Sequence, residues 1–187
     1  MYIFTCEDRF EDMMCCIYQA WKKALKVGHG CVRLERCGDE QPSLFDEYIH
    51  TEYREEEYIK VVRSIRSKIS DEAYAYVYYA CLSVEQDALD AVYRFLISGF
   101  REGADVVFMR TDPAVMRIKE IRRKVVHEAR YFREFARFNS MNGKVYVCHI
   151  EPRSDVIYEV ALHFADRMPS ENWLIIDDNR NKAVVHP

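Results

Sequence analysis

The sequence predicts a single α+β domain over residues 1–187, with a small mixed sheet of four or five strands covered by several helices, one of them long and basic. Three observations carry this reading. The length of 187 residues fits one domain. Hydrophobic residues make up 49% and charged residues 31%, which supplies a core and is too mixed in sign for a disordered tail. The hydrophobic period changes along the chain in the order strand, helix, strand, four helices, strand, helix, two strands.

The elements follow in turn. Met1–Thr5 is β-prone, and Asp8 is placed to cap the helix after it. Phe10, Met14, Ile17, Trp21 and Leu25 recur at helical steps and mark an inward face, ended by Gly28 and Gly30. Cys31–Arg36 reads as a second strand. Residues 37–53 hold Gly, Pro and Ser and read as a loop, the one seam in the chain. Tyr58, Val62, Ile65 and Ile69 give a second helix face. Tyr74–Leu82 is a third helix, capped by Ser70 or Asp71, although its tyrosines also suit a strand. Leu89, Val92, Leu96 and Phe100 define a fourth, which Gly99 and Gly103 weaken. Pro113 suits the first turn of a long helix, because proline lacks only an amide left unpaired there anyway. Val115, Ile118, Ile121, Val125 and Phe132 carry its apolar step nearly to Phe138. Asn142-Gly143 is a turn signal, and Lys144–Ile150 alternates as a strand. Ser154 or Asp155 opens a helix with Val156, Val160, Phe164 and Met168 inward. Trp173–Ile176 is a strand, Asp178-Asn179 a turn, and Ala183–Val185 a returning strand.

Composition narrows the function classes. No apolar run of roughly 18 residues occurs, so no membrane-spanning helix is expected. Seven cysteines at irregular spacing argue for a reducing, cytoplasmic setting over a disulfide scaffold. No C-x-x-C pair, P-loop, G-x-G-x-x-G, G-x-S-x-G or H-E-x-x-H is present, so the sequence calls for no cofactor. Net charge is −4, yet residues 110–140 carry nine Lys or Arg against four Asp or Glu. The local field of this basic segment is therefore more informative than the overall balance.

Within it, Arg123, Arg130 and Arg137 are spaced by seven and share one helix face, with Lys119, His127 and Glu134 on nearly the same ridge and Arg133 at its border. Guanidinium forks at that spacing suit phosphates along a nucleic-acid backbone, and neighbouring aromatics suit stacking on unpaired bases. The competing reading is a solvated face neutralised by Glu128 and Glu134, with Phe132, Phe135 and Phe138 in the core. Glu159, His163 and Arg167 form a further helical row. It is either an acid–base pair beside a cation or a surface ladder. Asp177 and Asp178 end a strand and are candidates for a hard cation, with Glu151 as the additional acid, or for a turn cap. Cys148 and His149 are neighbours on a strand and point to opposite faces.

Four blocks carry a resemblance: E-A-R-Y-F-R-E-F-A-R-F at 128–138, Y-V-C-H-I-E-P at 146–152, A-L-H-F-A-D-R at 161–167 and N-W-L-I-I-D-D-N-R at 172–180. The chain resembles an uncharacterised DNA-metabolism and DNA-repair family. That family is linked to a radical-SAM partner related to spore photoproduct lyase, and is also found fused to uracil-DNA-glycosylase-like domains. The resemblance implies DNA repair as context and a radical-SAM protein as partner, and no catalytic residue. Arg130 stands where that family carries a histidine. The family also continues into a basic tail near an M-P-x-R-Y-W motif, so this chain, ending at Pro187, reads as C-terminally shortened.

Three functions remain open at this stage. The first is an accessory DNA-repair protein that binds nucleic acid or presents it to its partner. The second is an enzyme on a nucleotide or damaged base, using His163 with Glu159, or Glu151 with Asp177 and Asp178. The third is a protein-interaction module whose arginine ridge docks an acidic surface.

Overall fold

Strand β1 (Tyr2–Cys6) is buried along nearly its whole length and lies at the centre of a parallel sheet of order β2-β1-β3. The structure is a computed structural model of the chain and describes residues 1–38, 43 and 45–187. Its contacts group into two compact units, Met1–Cys81 with Glu85–Ile121, and Leu82–Val84 with Arg122–Pro187. The boundary thus falls at 82–84 and within the long helix, whereas the described residues of the 37–53 segment belong to the first unit. Residues 39–42 and 44 of that segment lie outside the described residues.

In the first unit, α1 (Phe10–Val27) crosses from β1 to the parallel strand β2 (Val32–Arg36). Asp8 does not cap this helix. It pairs instead with the Arg36 guanidinium at 3.3 Å. Met14 and Ile17 are buried as the periodicity requires, but Leu25 is 73% exposed. The helix closes at Gly28, whose φ of +90° suits glycine. Strand β3 (Glu47–His50) forms inside the expected loop and pairs with β1.

Three helices follow. α2 (Glu55–Lys68) has Glu55, Glu56 and Glu57 in its first turn and Arg66 and Lys68 in its last, matching the helix dipole. α3 (Asp71–Cys81) is a helix despite its tyrosines. Ser70 accepts the Ala73 amide at 3.0 Å, and Ala73, Val77 and Ala80 are buried at helical steps. α4 (Ala88–Glu102) buries Leu89, Val92 and Leu96. Its Gly99 marks a close approach, since a Cβ there would lie 2.7 Å from Ile69 Cδ1.

Helix α5 (Pro113–Phe135) begins with Pro113 and is capped by Asp112. One carboxylate oxygen of Asp112 accepts the Ala114 amide at 2.8 Å and the other accepts the Ser98 hydroxyl at 2.7 Å. Val115, Ile118, Ile121, Val125 and Ala129 are its buried stripe, and it ends three residues short of Phe138.

In the second unit, a mixed sheet of order β4-β5-β6-β7 is built from β4 (Asn139–Met141), β5 (Val145–Ile150), β6 (Trp173–Asp177) and β7 (Lys182–His186). Asn142 and Gly143, at φ +55° and +70°, turn β4 into antiparallel β5. α6 (Ile157–Arg167) crosses from β5 to parallel β6 and buries Val160, Ala161 and Phe164. Phe138 packs edge-on against Phe164 at 4.8 Å and Trp173 at 6.3 Å.

The α+β class therefore holds, with the strands divided between a sheet of three and a sheet of four. Among the described residues no helix is long and apolar enough to cross a membrane. The cysteines are free thiols. Cys6, Cys15, Cys16, Cys81 and Cys148 are buried, Cys37 is half-buried and Cys31 is exposed.

Candidate nucleic-acid interface

The second unit contains roughly the last four turns of α5. Arg123 and Arg130 are seven residues apart on α5, within about 20° of one another and about 10 Å along its axis, whereas Arg137 falls past the helix end at Phe135 and does not continue the expected ridge. Arg130 is exposed and pairs with Glu134 one turn on, at 2.7 Å. This hydrogen bond and charge hold its already high pKa still higher. Arg123 and Arg137 are exposed, and Arg133 is half-buried. Among the described residues none of these three forms a side-chain ion pair, so of the two expected neutralising carboxylates only Glu134 acts on the ridge, and it does so at Arg130 alone. Glu128 is engaged elsewhere, accepting the backbone amides of Arg153 at 2.6 Å and Ser154 at 3.0 Å.

Across from this face stands α6. Its His163 and Arg167 are one turn apart, and with Phe164 they form one wall of a cleft of about 590 Å³. Arg130, Arg133, Glu134 and Ala136 form the other wall. Among the described residues, three guanidinium groups and an imidazole thus share one cleft with a single carboxylate. His163 meets the Phe164 ring edge-on at 5.2 Å, which leaves a polar rim over an aromatic floor. Such a cleft suits an anion joined to a flat or apolar group.

The aromatics beside the ridge divide. Phe132 is half-buried, but Tyr131 and Phe135 are 56% and 61% exposed, with ring centroids 5.0 Å apart. They lie about 100–140° around the helix from Arg130, an exposed pair next to the cationic face. His127 is exposed and Lys119 half-buried. Neither borders the cleft, and Lys119 falls on the first-unit portion of α5.

The remaining candidates are placed apart from it. Glu159 and the exposed Glu151 do not line the cleft. Asp177 is fully buried. It accepts the amides of Asn179 at 3.0 Å and Arg180 at 3.1 Å, and the Arg180 guanidinium at 3.3 Å, so it serves the turn. Asp178 contacts His149 Nδ1 at 3.0 Å. Among the described residues no group of three or more His, Cys, Asp or Glu side chains is arranged to hold a metal ion.

Two supporting residues went unread in the sequence. Arg180 donates to the carbonyls of Pro152 and Arg153, and Asn179 to that of Pro152. With Glu128, they fix the segment that launches α6. The signal was their presence in the 128–138, 146–152 and 172–180 blocks, whose polar residues meet here.

Residues 86–187 match a family described as a domain of unknown function, DUF4130. The chain belongs to the DUF4130 family. The match takes in α4, α5 and the whole of the cleft, so the basic residues described above are DUF4130 residues. The parallel sheet and α1–α3 lie before it. Neither a curated protein nor a solved structure matches the chain.

Proposed function

We propose that this DUF4130 protein is an accessory DNA-metabolism protein whose cleft grips the phosphates of a nucleic-acid strand and presents it to a radical-SAM partner. The observation that carries the reading is the convergence of Arg130, Arg133, Arg167 and His163 on one cleft against a single carboxylate, Glu134. Guanidinium forks bind phosphate oxygens in pairs, and such contacts set affinity independently of base sequence. The exposed Tyr131 and Phe135 favour single-stranded over duplex DNA, because unpaired bases offer a face to stack on. The repair setting and the radical-SAM partner rest on the resemblance of the four sequence blocks.

The test is fluorescence anisotropy of labelled single-stranded and duplex oligonucleotides across a salt series. Tighter binding of the single strand is expected. Arg133→Ala/Arg167→Ala should weaken binding and flatten the dependence of log K on log salt by roughly one to two units. Equal affinity and equal slope for the double variant would sink the proposal. Retention of the radical-SAM protein through purification tests the partner, and nuclease treatment separates a DNA bridge from direct contact.

A further inference from the structure

A second concave surface lies in the first unit and shares no lining residue with the cationic cleft. Helices α1 and α2 bound a groove of about 510 Å³. Its floor and walls are apolar, formed by Tyr18, Trp21, Leu25, Val61 and Phe100. Trp21 packs edge-on against Phe100 at 5.2 Å and Tyr93 at 5.8 Å. Leu25 is 73% exposed on a helix whose periodicity would turn it inward. An apolar side chain left in water above an aromatic floor is an unfilled contact.

The rim carries charge of one sign. Lys22, Lys60 and Lys68 line the groove and, among the described residues, no carboxylate does. Lys68 has no ion-pair partner among the described residues. Lys60 reaches the exposed Glu56, at 3.7 Å, and Lys22 rests over the Tyr18 ring at 5.6 Å. The arrangement is elongated. Lys60 and Lys68 are about 12 Å apart along α2, and Lys22 stands on the α1 wall. A fatty acid or similar amphiphile has one anionic head and satisfies only one end of such a rim. A helix with an apolar stripe and carboxylates on both flanks meets all three lysines while its stripe covers Trp21 and Leu25.

We propose that the α1–α2 groove docks an acidic amphipathic helix of a partner protein. The site lies outside the DUF4130 match except for Phe100, so this surface belongs to the N-terminal part of the chain.

The probe is a fluorescein-labelled synthetic helix with leucines at i, i+3, i+4 and i+7 and glutamates on its flanks, added to the full chain. A lysine-flanked version serves as control. Saturable binding of the acidic helix is expected, with no binding of the basic one. Lys22→Glu/Lys68→Glu should weaken it at least about tenfold, because opposite charges become like charges. Leu25→Asp should weaken it independently, and being exposed it leaves folding unchanged. Binding of both peptides alike, or of the acidic helix equally to wild type and the charge-reversed variant, overturns the proposal. So does its complete displacement by sodium dodecanoate below micelle-forming concentrations, which would assign the groove to a small anionic amphiphile.

Discussion

Glu128 on the long helix accepts the backbone amide of Arg153 at 2.6 Å. Its other oxygen takes the Ser154 amide, so one carboxylate holds two consecutive donors just ahead of α6. Glu128→Gln keeps the shape but replaces one acceptor with a donor facing an N–H. The Gln oxygen can still serve the buried Ser154 amide while the exposed Arg153 amide turns to water, so stability should fall by about 1 kcal/mol, the net worth of one hydrogen bond. Urea unfolding should show a lower midpoint with unchanged slope. Amide exchange should rise first at Arg153.

Gly99 and Ile69 form a coupled pair. Alanine at 99 gains about 1 kcal/mol of helix propensity, but its Cβ meets Ile69 Cδ1 at 2.7 Å. Ile69 is only 6% exposed, so its side chain has little room to yield. Gly99→Ala should therefore be neutral or mildly destabilising. In an Ile69→Val background, which lacks that methyl, the same change should stabilise. A double-mutant cycle by denaturant unfolding should give a non-additivity of about 0.5–2 kcal/mol.

His29 supplies a pH dependence. Its Nδ1 lies 2.8 Å from the Tyr93 hydroxyl and its ring 4.7 Å from Trp21. Burial, with the Arg94 charge second, holds the imidazole below its ordinary 6.5. The unfolded chain therefore takes up a proton at a pH where the folded one does not. Stability from this group is full above pH 6.5 and is lost as pH falls toward the lower folded value. Thermal unfolding between pH 7 and 5 should show a decline that is shallower in His29→Gln.

Glu134 competes with any anion for Arg130. Its 2.7 Å pair is exposed, so removing it costs little stability while releasing a guanidinium into the cleft. Glu134→Gln should tighten oligonucleotide binding and steepen its salt dependence by up to about one phosphate contact. Weaker binding in this variant would mean that Glu134 orients Arg130 for the ligand and does not compete with it.

Local signals made much of the fold legible. Pro113 at a first turn, Asn142-Gly143 at a hairpin and the Val115–Val125 stripe each act within a few residues, and each stands where the sequence puts it. Strand β3 was hidden because Glu47–His50 is short and at a sheet edge, and its partner is β1, far away in sequence. Leu25 kept the period of α1 but not its burial, since among the described residues no element covers that turn. At the cationic cleft, the arginines of α5 were legible as one ridge and His163 with Arg167 as a separate row. That the two rows face each other depends on the β5–α6–β6 crossover, which no spacing within either helix encodes. The turn role of Asp177 was one of two readings, and its full burial decides how its oxygens are used.

The distribution of thiols gives this chain an internal clock. Cys31 is open to solvent, whereas five others are sealed in the interior, where burial also pushes Cys15, Cys81 and Cys148 away from the reactive thiolate form. A maleimide therefore tags the surface at once and the interior only as often as each unit opens. The labelling pattern reports the opening of the N-terminal unit through Cys6, Cys15, Cys16 and Cys81, and of the C-terminal unit through Cys148, without any added probe.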